Sequence, residues 1–367
     1  MGWGRIVAGW GLAPEQKGED RRRSRGVGNH GRVVITGQNR LSPVACCREV
    51  VGVTDDPDTI LIPETVAIPD RRLVDERVVC RLVASQFPQW TDLPIRPVPT
   101  SGWDNQTFRL GERLSVRLPT APEYALAVDK EHRWLPTFAP RVPLPIPVPV
   151  ARGVPADGFR FHWSVYEWID GEPARIDRIG DLTGFADGLA AFLVALQHVD
   201  PSAGPQPGLH NWFRGGPLQI YDPQVHRAVE VLDRRISSDI VMQIWRSALG
   251  PAWGRRPVWL HGDVAPGNLL VRDGVLAAVI DFGTCGVGDP ACDLAIAWTL
   301  LSGPSRDVFR ARLDVDPGTW ARGRGWALWK TLITYAGALQ GDPATAAQAN
   351  RIIDEIVAEY ATPAVGR

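Results

Sequence analysis

Apolar positions change their period along this chain, and the change divides it. In "DRRLVDERVVCRLVASQF", Leu73, Val78, Leu82 and Val83 recur at helical spacing, and Asp70 stands where an N-cap would open that helix. Two short runs with strand character follow, residues 107–111 and 114–119, with Glu112-Arg113 between them as a hairpin turn. In the second run Leu114, Val116 and Leu118 alternate with Ser115 and Arg117, so a strand turns Ser115 and Arg117 together to the opposite face. "TSGWDN" in front of the hairpin reads as a turn-forming loop, and "EYALAVDKEHRWLPTF" behind it as a helix carrying Glu131. "VPLPIPVPV" is an extended connector or edge strand, because proline cannot donate to a sheet ladder, and "FHWSVYEWIDGEP" is a strand ending in a polar turn.

From residue 177 the period becomes that of helices. "DLTGFADGLAAFLVALQHV" places Phe185, Leu189, Phe192, Leu193 and Leu196 on one face, with Asp181 or Thr183 as its cap. "PQVHRAVEVLDRRI", "ALWKTLITYAGAL" and "AQANRIIDEIVAEY" are further helices. Among them "NLLV" and "LAAVIDF" form a second hairpin about Arg272-Asp273-Gly274. The pattern predicts a small lobe rich in β structure followed by a larger helical lobe, with a ligand cleft between them.

Composition narrows the classes. The chain has 367 residues, 44% hydrophobic and 22% charged, enough for two domains or one two-lobed unit. Forty basic and forty-one acidic side chains leave a formal net charge of -1, which gives no overall drive toward nucleic acid or an anionic membrane. Five scattered cysteines without C-x-x-C spacing suggest neither a disulfide framework nor a zinc site, and fit a reducing cytoplasm. No apolar run approaches the ~18 residues of a membrane span, and the glycine-broken start makes a poor secretory signal. Residues 1–65 have neither period, and carry an arginine cluster at 21–25. The expectation there is a disordered extension or a start codon placed too far upstream, with a nucleic-acid tail as the alternative.

Candidate chemistry concentrates in "HGDVAPGNLLV" and the "IDFG" that closes the second hairpin. Folding that hairpin brings Asp263, Asn268 and Asp281 to the same end. Asn and Asp oxygens suit Mg²⁺, which takes one or two protein ligands and leaves its other positions to water and phosphate. Asp263 then remains to accept a proton from an attacking hydroxyl. An Asp, an Asn five residues on, a strand pair and D-F-G is the layout of the catalytic and metal elements of kinases. No G-x-x-x-x-G-K-[ST] occurs, which removes the P-loop route to the same reaction.

"HGDVAPGNLL" with "VIDFGTCGVGDPACDLA" resembles the aminoglycoside phosphotransferase family, kinase-like enzymes that include macrolide and choline kinases, and "SGWDNQTFRLGERLSVRLP" resembles it too. The likeness spans residues 68–365. It implies an α+β, bilobal protein-kinase-like fold: an extension at 1–65, a nucleotide-binding lobe with its small antiparallel sheet and hinge at 66–170, and a mainly helical lobe at 171–367. By the same likeness Asp263 is the catalytic aspartate, Asn268 and Asp281 hold Mg²⁺, and His261 and Asp293 brace the loop. Arg117 stands where a kinase has lysine, with Glu131 as its carboxylate partner, although Glu123 and Lys130 lie near enough to shift the register. Ser101, Gly102 and Asn105 would cover the phosphates. Glu167 through its carbonyl, Ile169 through its N–H and Tyr166 beside the ring would meet the base.

The implied reaction moves the γ-phosphoryl of ATP or GTP to a hydroxyl of a small molecule, first an aminoglycoside- or macrolide-type antibiotic. A metabolic alcohol (choline, homoserine or a sugar) is the alternative acceptor, and a non-catalytic nucleotide-binding protein the alternative role. The implied protein is a cytoplasmic monomer or homodimer with no nucleic-acid or membrane partner. Core packing is the expectation for Trp168, Trp212, Trp298 and Trp326.

Overall fold

The structure is a computed structural model that describes residues 74–99, 102 and 104–362. The first helix among the described residues, α1 (Glu76–Gln86), starts later than the pattern predicts: Asp75 is the N-cap and accepts from Val78 N–H at 2.9 Å, while Asp70 and Leu73 lie outside the described residues. Val79, Leu82 and Val83 are the face it buries.

Strands β1 (Ile95–Pro97), β2 (Asn105–Leu110) and β3 (Leu114–Pro119) come next, all antiparallel to their neighbours. The hairpin between β2 and β3 is one residue longer than the Glu112-Arg113 turn expected. Gly111 at φ +58° supplies the left-handed step and joins the turn, and β2 reaches back to Asn105. Helix α2 (Pro122–Phe138) carries Glu131, and β4 (Pro149–Gly153) and β5 (Trp163–Glu167) complete a sheet of order β1-β2-β3-β5-β4. The proline-rich run thus ends in an edge strand, where a missing N–H costs least. Phe108, Leu110, Val116, Leu118, Trp163 and Val165 form the small-lobe core beneath α1. Ser115 on the opposite face is buried as well, so neither face of β3 is solvated.

β6 (Glu172–Pro173) leads into the large lobe, where α3 (Leu182–Gln197) is capped by Asp181 accepting from Thr183 N–H. Then come α4 (Asp222–Leu232), α5 (Ser238–Leu249) and β7 (Val258–Leu260). The second hairpin is β8 (Leu269–Arg272) and β9 (Val275–Val279), turned by Asp273 and Gly274 at φ +53° and +80° and paired with β6. β10 (Gly286–Gly288) pairs with β7, and α6 (Ile296–Thr299), α7 (Gly303–Leu313), α8 (Pro317–Ala338) and α9 (Pro343–Ala361) close the chain. The sequence reading missed α5 and α7. Among the described residues no helix is long and apolar enough to cross a membrane.

Helix α2 belongs to both lobes. Its Leu135 and Phe138 enter the large-lobe core, where Phe138 meets Trp259 with ring centroids 4.7 Å apart, while Glu131 points back under the sheet. Movement of α2 is therefore coupled to the sheet and to the loops below it.

The edge of the small sheet is closely packed. Gly153 pairs with Trp163, and a Cβ there would lie 1.9 Å from the indole. Gly153→Ala should cost about 1–3 kcal/mol by overpacking, seen in urea as a lower midpoint with an unchanged slope.

Candidate active site

Strand β7 ends at Leu260 and delivers the loop 261–268 to the cleft. A single buried carboxylate holds its start: Asp293 accepts from His261 N–H at 2.8 Å and from Gly262 N–H at 2.7 Å. His261 completes the brace, with Nε2 3.0 Å from the Ile280 carbonyl and Nδ1 accepting from Asp263 N–H at 3.2 Å. Gly262 has φ +87°, and a Cβ would stand 2.4 Å from the Thr284 carbonyl oxygen, so glycine is required by both conformation and space.

The loop presents Asp263 with both oxygens engaged. Asn268 Nδ2 donates to Oδ2 at 3.1 Å and to the Asp263 carbonyl at 2.9 Å; Lys330 Nζ, from α8, donates to Oδ1 at 3.1 Å. Because the amide nitrogen of Asn268 is committed to Asp263, the atom it can offer a cation is Oδ1. Asp281 follows β9 in a left-handed conformation, φ +67°.

Arg117 reaches down from β3 to join the lobes. Its Nη2 lies 2.9 Å from Asp281 Oδ1 and its Nη1 3.7 Å from Glu131 Oε1. The partner is therefore Glu131. Glu123 makes no ion pair with Arg117 among the described residues, and Lys130 faces the other way, donating to the carbonyls of Gly283 at 2.8 Å and His210 at 3.1 Å. Tyr166 does not stand open beside a base site as expected: it is buried and its hydroxyl donates to Glu131 Oε2, so it fixes the carboxylate that fixes Arg117. Burial works against charge on Asp281, but the Arg117 guanidinium outweighs it and holds the carboxyl below the usual range. Burial raises Glu131, opposed by Arg117 and the Tyr166 hydrogen bond.

Along the rim, Glu167 ends β5 exposed, with its N–H on the Val148 carbonyl at 3.2 Å. Ile169 N–H has no backbone acceptor among the described residues. Asn105 opens β2, a Cβ on Gly102 would meet nothing within 4 Å, and Ser101 lies outside the described residues. Trp298 and Trp326 are core side chains, 3% exposed each, while Trp168 is half-buried with Arg109 over its ring. Trp212 is half-buried too, in a left-handed conformation.

Asn268 and Asp281 fit a hard cation of the Mg²⁺ type, which needs one or two protein oxygens and takes the rest from water and phosphate. Among the described residues no group of three or more His, Cys, Asp or Glu could hold a metal, so a site for a softer, fully protein-ligated ion is not on offer there.

A small antiparallel sheet over a helical lobe, with an aspartate loop and a D-F-G turn in the cleft, defines a kinase-like phosphotransferase. The model of the Phosphotransferase enzyme family, APH, matches residues 95–326, and the chain belongs to that family. Solved structures agree on the fold. The GDP and kanamycin complex of APH(2")-IIia is 19% identical at a TM-score of 0.60, covering 77% of this chain and 98% of its own. The macrolide 2'-phosphotransferase MphH from Brachybacterium faecium is 22% identical at 0.51, covering 76% and 97%. A thermostable mutant of aminoglycoside phosphotransferase APH(4)-Ia is 19% identical at 0.53, covering 77% and 99%. A comparison with curated proteins finds no match.

Sequence reasoning missed Lys330 and Asp104. Burial pushes the Lys330 ammonium down to about 8, with Asp263 pulling the other way; the available signal was a single lysine inside the apolar run "ALWKTLITYAGAL". Asp104 sits in the loop from which Ser101, Gly102 and Asn105 were picked. Burial, then the neighbouring Asp281 and Asp263, push its carboxyl up to about 8. A carboxyl raised from 3.8 in this way makes the unfolded chain the stronger acid, so its stability cost grows between pH 4 and pH 8 and then levels. Asp104→Asn should therefore melt higher than the parent by a margin that widens over that window in metal-free buffer, reaching a few degrees. A margin independent of pH would separate Asp104 from the carboxylate cluster.

Proposed function

We propose that this chain transfers the γ-phosphoryl group of ATP or GTP to a hydroxyl of a small molecule, with Asp263 as the group that orients and deprotonates that hydroxyl. One observation carries the reading: Arg117 bridges Asp281 and Glu131 across the cleft while Asn268 clamps Asp263, so base, cation ligands and phosphate-binding fork share one small volume. In the transfer the acceptor oxygen bonds to the γ-phosphorus, the bond from that phosphorus to the β–γ bridging oxygen breaks, and the hydroxyl proton passes to Asp263. Mg²⁺ held by Asn268 and Asp281 would neutralise charge on the nucleotide phosphates. Arg117 supports the same task with a planar fork suited to phosphate oxygens. The Glu167 carbonyl and the Ile169 N–H supply the main-chain pair for the base, with Ser101, Gly102 and Asn105 over the phosphates. Residues 66–170 then serve as nucleotide lobe and hinge, and 171–367 as acceptor lobe.

An antibiotic-type acceptor is supported by what the similar structures are named for, kanamycin in one and a macrolide phosphotransferase in another.

Asp263→Asn should lower kcat by about 10²–10⁴-fold in acceptor-dependent nucleotide turnover and leave the nucleotide Kd within about threefold. Loss of nucleotide binding together with turnover would make Asp263 a structural residue. Asp281→Ala should instead weaken nucleotide binding in the presence of Mg²⁺ more than in its absence, and equal weakening in both would remove the metal assignment.

A further inference from the structure

The Asp263 carboxylate is held at both ends, by two donors of different origin. Asn268 Nδ2 reaches Oδ2 at 3.1 Å from within the same loop, so that contact moves with the loop. Lys330 Nζ reaches Oδ1 at 3.1 Å from α8, 67 residues further along the chain, and relates the carboxylate to the body of the large lobe. The same helix is tied to the loop a second time. Arg322, two turns before Lys330, lies 2.6 Å from Asp289 Oδ2; Asp289 caps the turn that carries Asp293, and Asp293 accepts from His261 N–H and Gly262 N–H. Backbone and side chain of the loop are thus both registered on α8, the first through Arg322 and the second through Lys330.

We infer that Lys330 is a positioning residue for the transfer: it fixes the rotation of the Asp263 carboxylate, and so the direction in which that carboxylate meets the acceptor hydroxyl. This rests on the phosphotransferase reading above. A carboxylate pinned through one oxygen can still turn about its Cβ–Cγ bond, whereas a donor on each oxygen stops the rotation. The neighbourhood makes such a stop necessary. The carboxyls of Asp104 and Asp293 are pushed up by burial first, with the charge of Asp263 adding to it, so Asp263 is repelled from more than one side. Packing alone gives no reason for an ammonium here. The two side chains are only 18% and 13% exposed, burial works against the Lys330 charge while Asp263 favours it, and an apolar side chain would continue the α8 core at lower cost. The charge is spent on Asp263, and its effect belongs to the rate of the chemical step, where misplacement of a reacting group is most costly.

The test is a double-mutant cycle read in single turnovers, with the full chain in excess over γ-labelled ATP or GTP and Mg²⁺, and with water, kanamycin, choline and glucose run in parallel as acceptors. Lys330→Met keeps the stem without the charge. It should lower the rate constant for loss of the γ-phosphoryl by about tenfold to a hundredfold, with the nucleotide Kd within about threefold of the parent, and Lys330→Arg should recover most of that rate. In the Asp263→Asn background Lys330→Met should change the rate by less than about twofold, because a residue that acts through the Asp263 carboxylate has nothing left to position there. Lys330→Gln enters the same cycle if Lys330→Met melts below the assay temperature. A lysine with a merely structural role would lower the rate by the same factor in both backgrounds. That additive result, or a parental rate in Lys330→Met, overturns the inference and leaves the phosphotransferase reading standing. Nucleotide that the parent binds but cleaves with none of the acceptors would overturn both.

Discussion

The arrangement of the cleft depends on one guanidinium. Arg117 stands on the small-lobe sheet, yet its two terminal nitrogens address Glu131 on α2 and Asp281 at the end of the large-lobe hairpin. Neither carboxylate is well solvated, and burial alone would push both toward their neutral forms. The shared cation offsets that cost only while all three groups hold their places, so the pairing couples lobe position to the charge state of the site. Its own ionisation is driven further up by the same two carboxylates. A lysine is a point charge on a flexible stem, whereas a fork can face two carboxylates at once. That difference gives a physical reason for an arginine between Glu131 and Asp281. Tyr166 and Lys130 extend the same lock, one through Glu131 and the other through the Gly283 carbonyl two residues past Asp281.

On the opposite wall the loop 261–268 is held by hydrogen bonds to its backbone. Asp293 takes two consecutive N–H groups, His261 ties the loop to Ile280, and Gly262 allows the close approach to Thr284. Buried polar groups satisfied in this manner confer rigidity, because any displacement would leave several of them unpaired at once. Asp289 adds a second layer: it caps the turn that carries Asp293 and is gripped by Arg322 of α8 at 2.6 Å, both side chains being buried. Helix α8 consequently serves two ends of the site. It braces the loop through Arg322 and meets Asp263 through Lys330, two turns further along.

Much of this was legible from local pattern. The period switch announced the two lobes, since burying one face of a strand and one stripe of a helix requires different spacings. Asp263, Asn268 and Asp281 could be assembled because a hairpin has one geometry: two strands joined by Asp273-Gly274 must return to where they began. The boundaries that differ are the first helix, capped by Asp75 through Val78 N–H, and the first hairpin turn, where Gly111 supplies the left-handed step.

By itself, then, the sequence determined the lobes, the family and the meeting of Asp263, Asn268 and Asp281 at one end of a hairpin. Only the tertiary structure decided that Tyr166 serves Glu131 instead of standing beside a nucleotide base, that Asp104 joins the acidic cluster, and that Lys330 lies on Asp263. The reason is distance along the chain. Lys330 is 67 residues from Asp263, on a helix whose periodicity is satisfied whether that lysine points to water or to the cleft. Local propensity can place such a residue on a helix, but the neighbour it meets is set by how the helices pack.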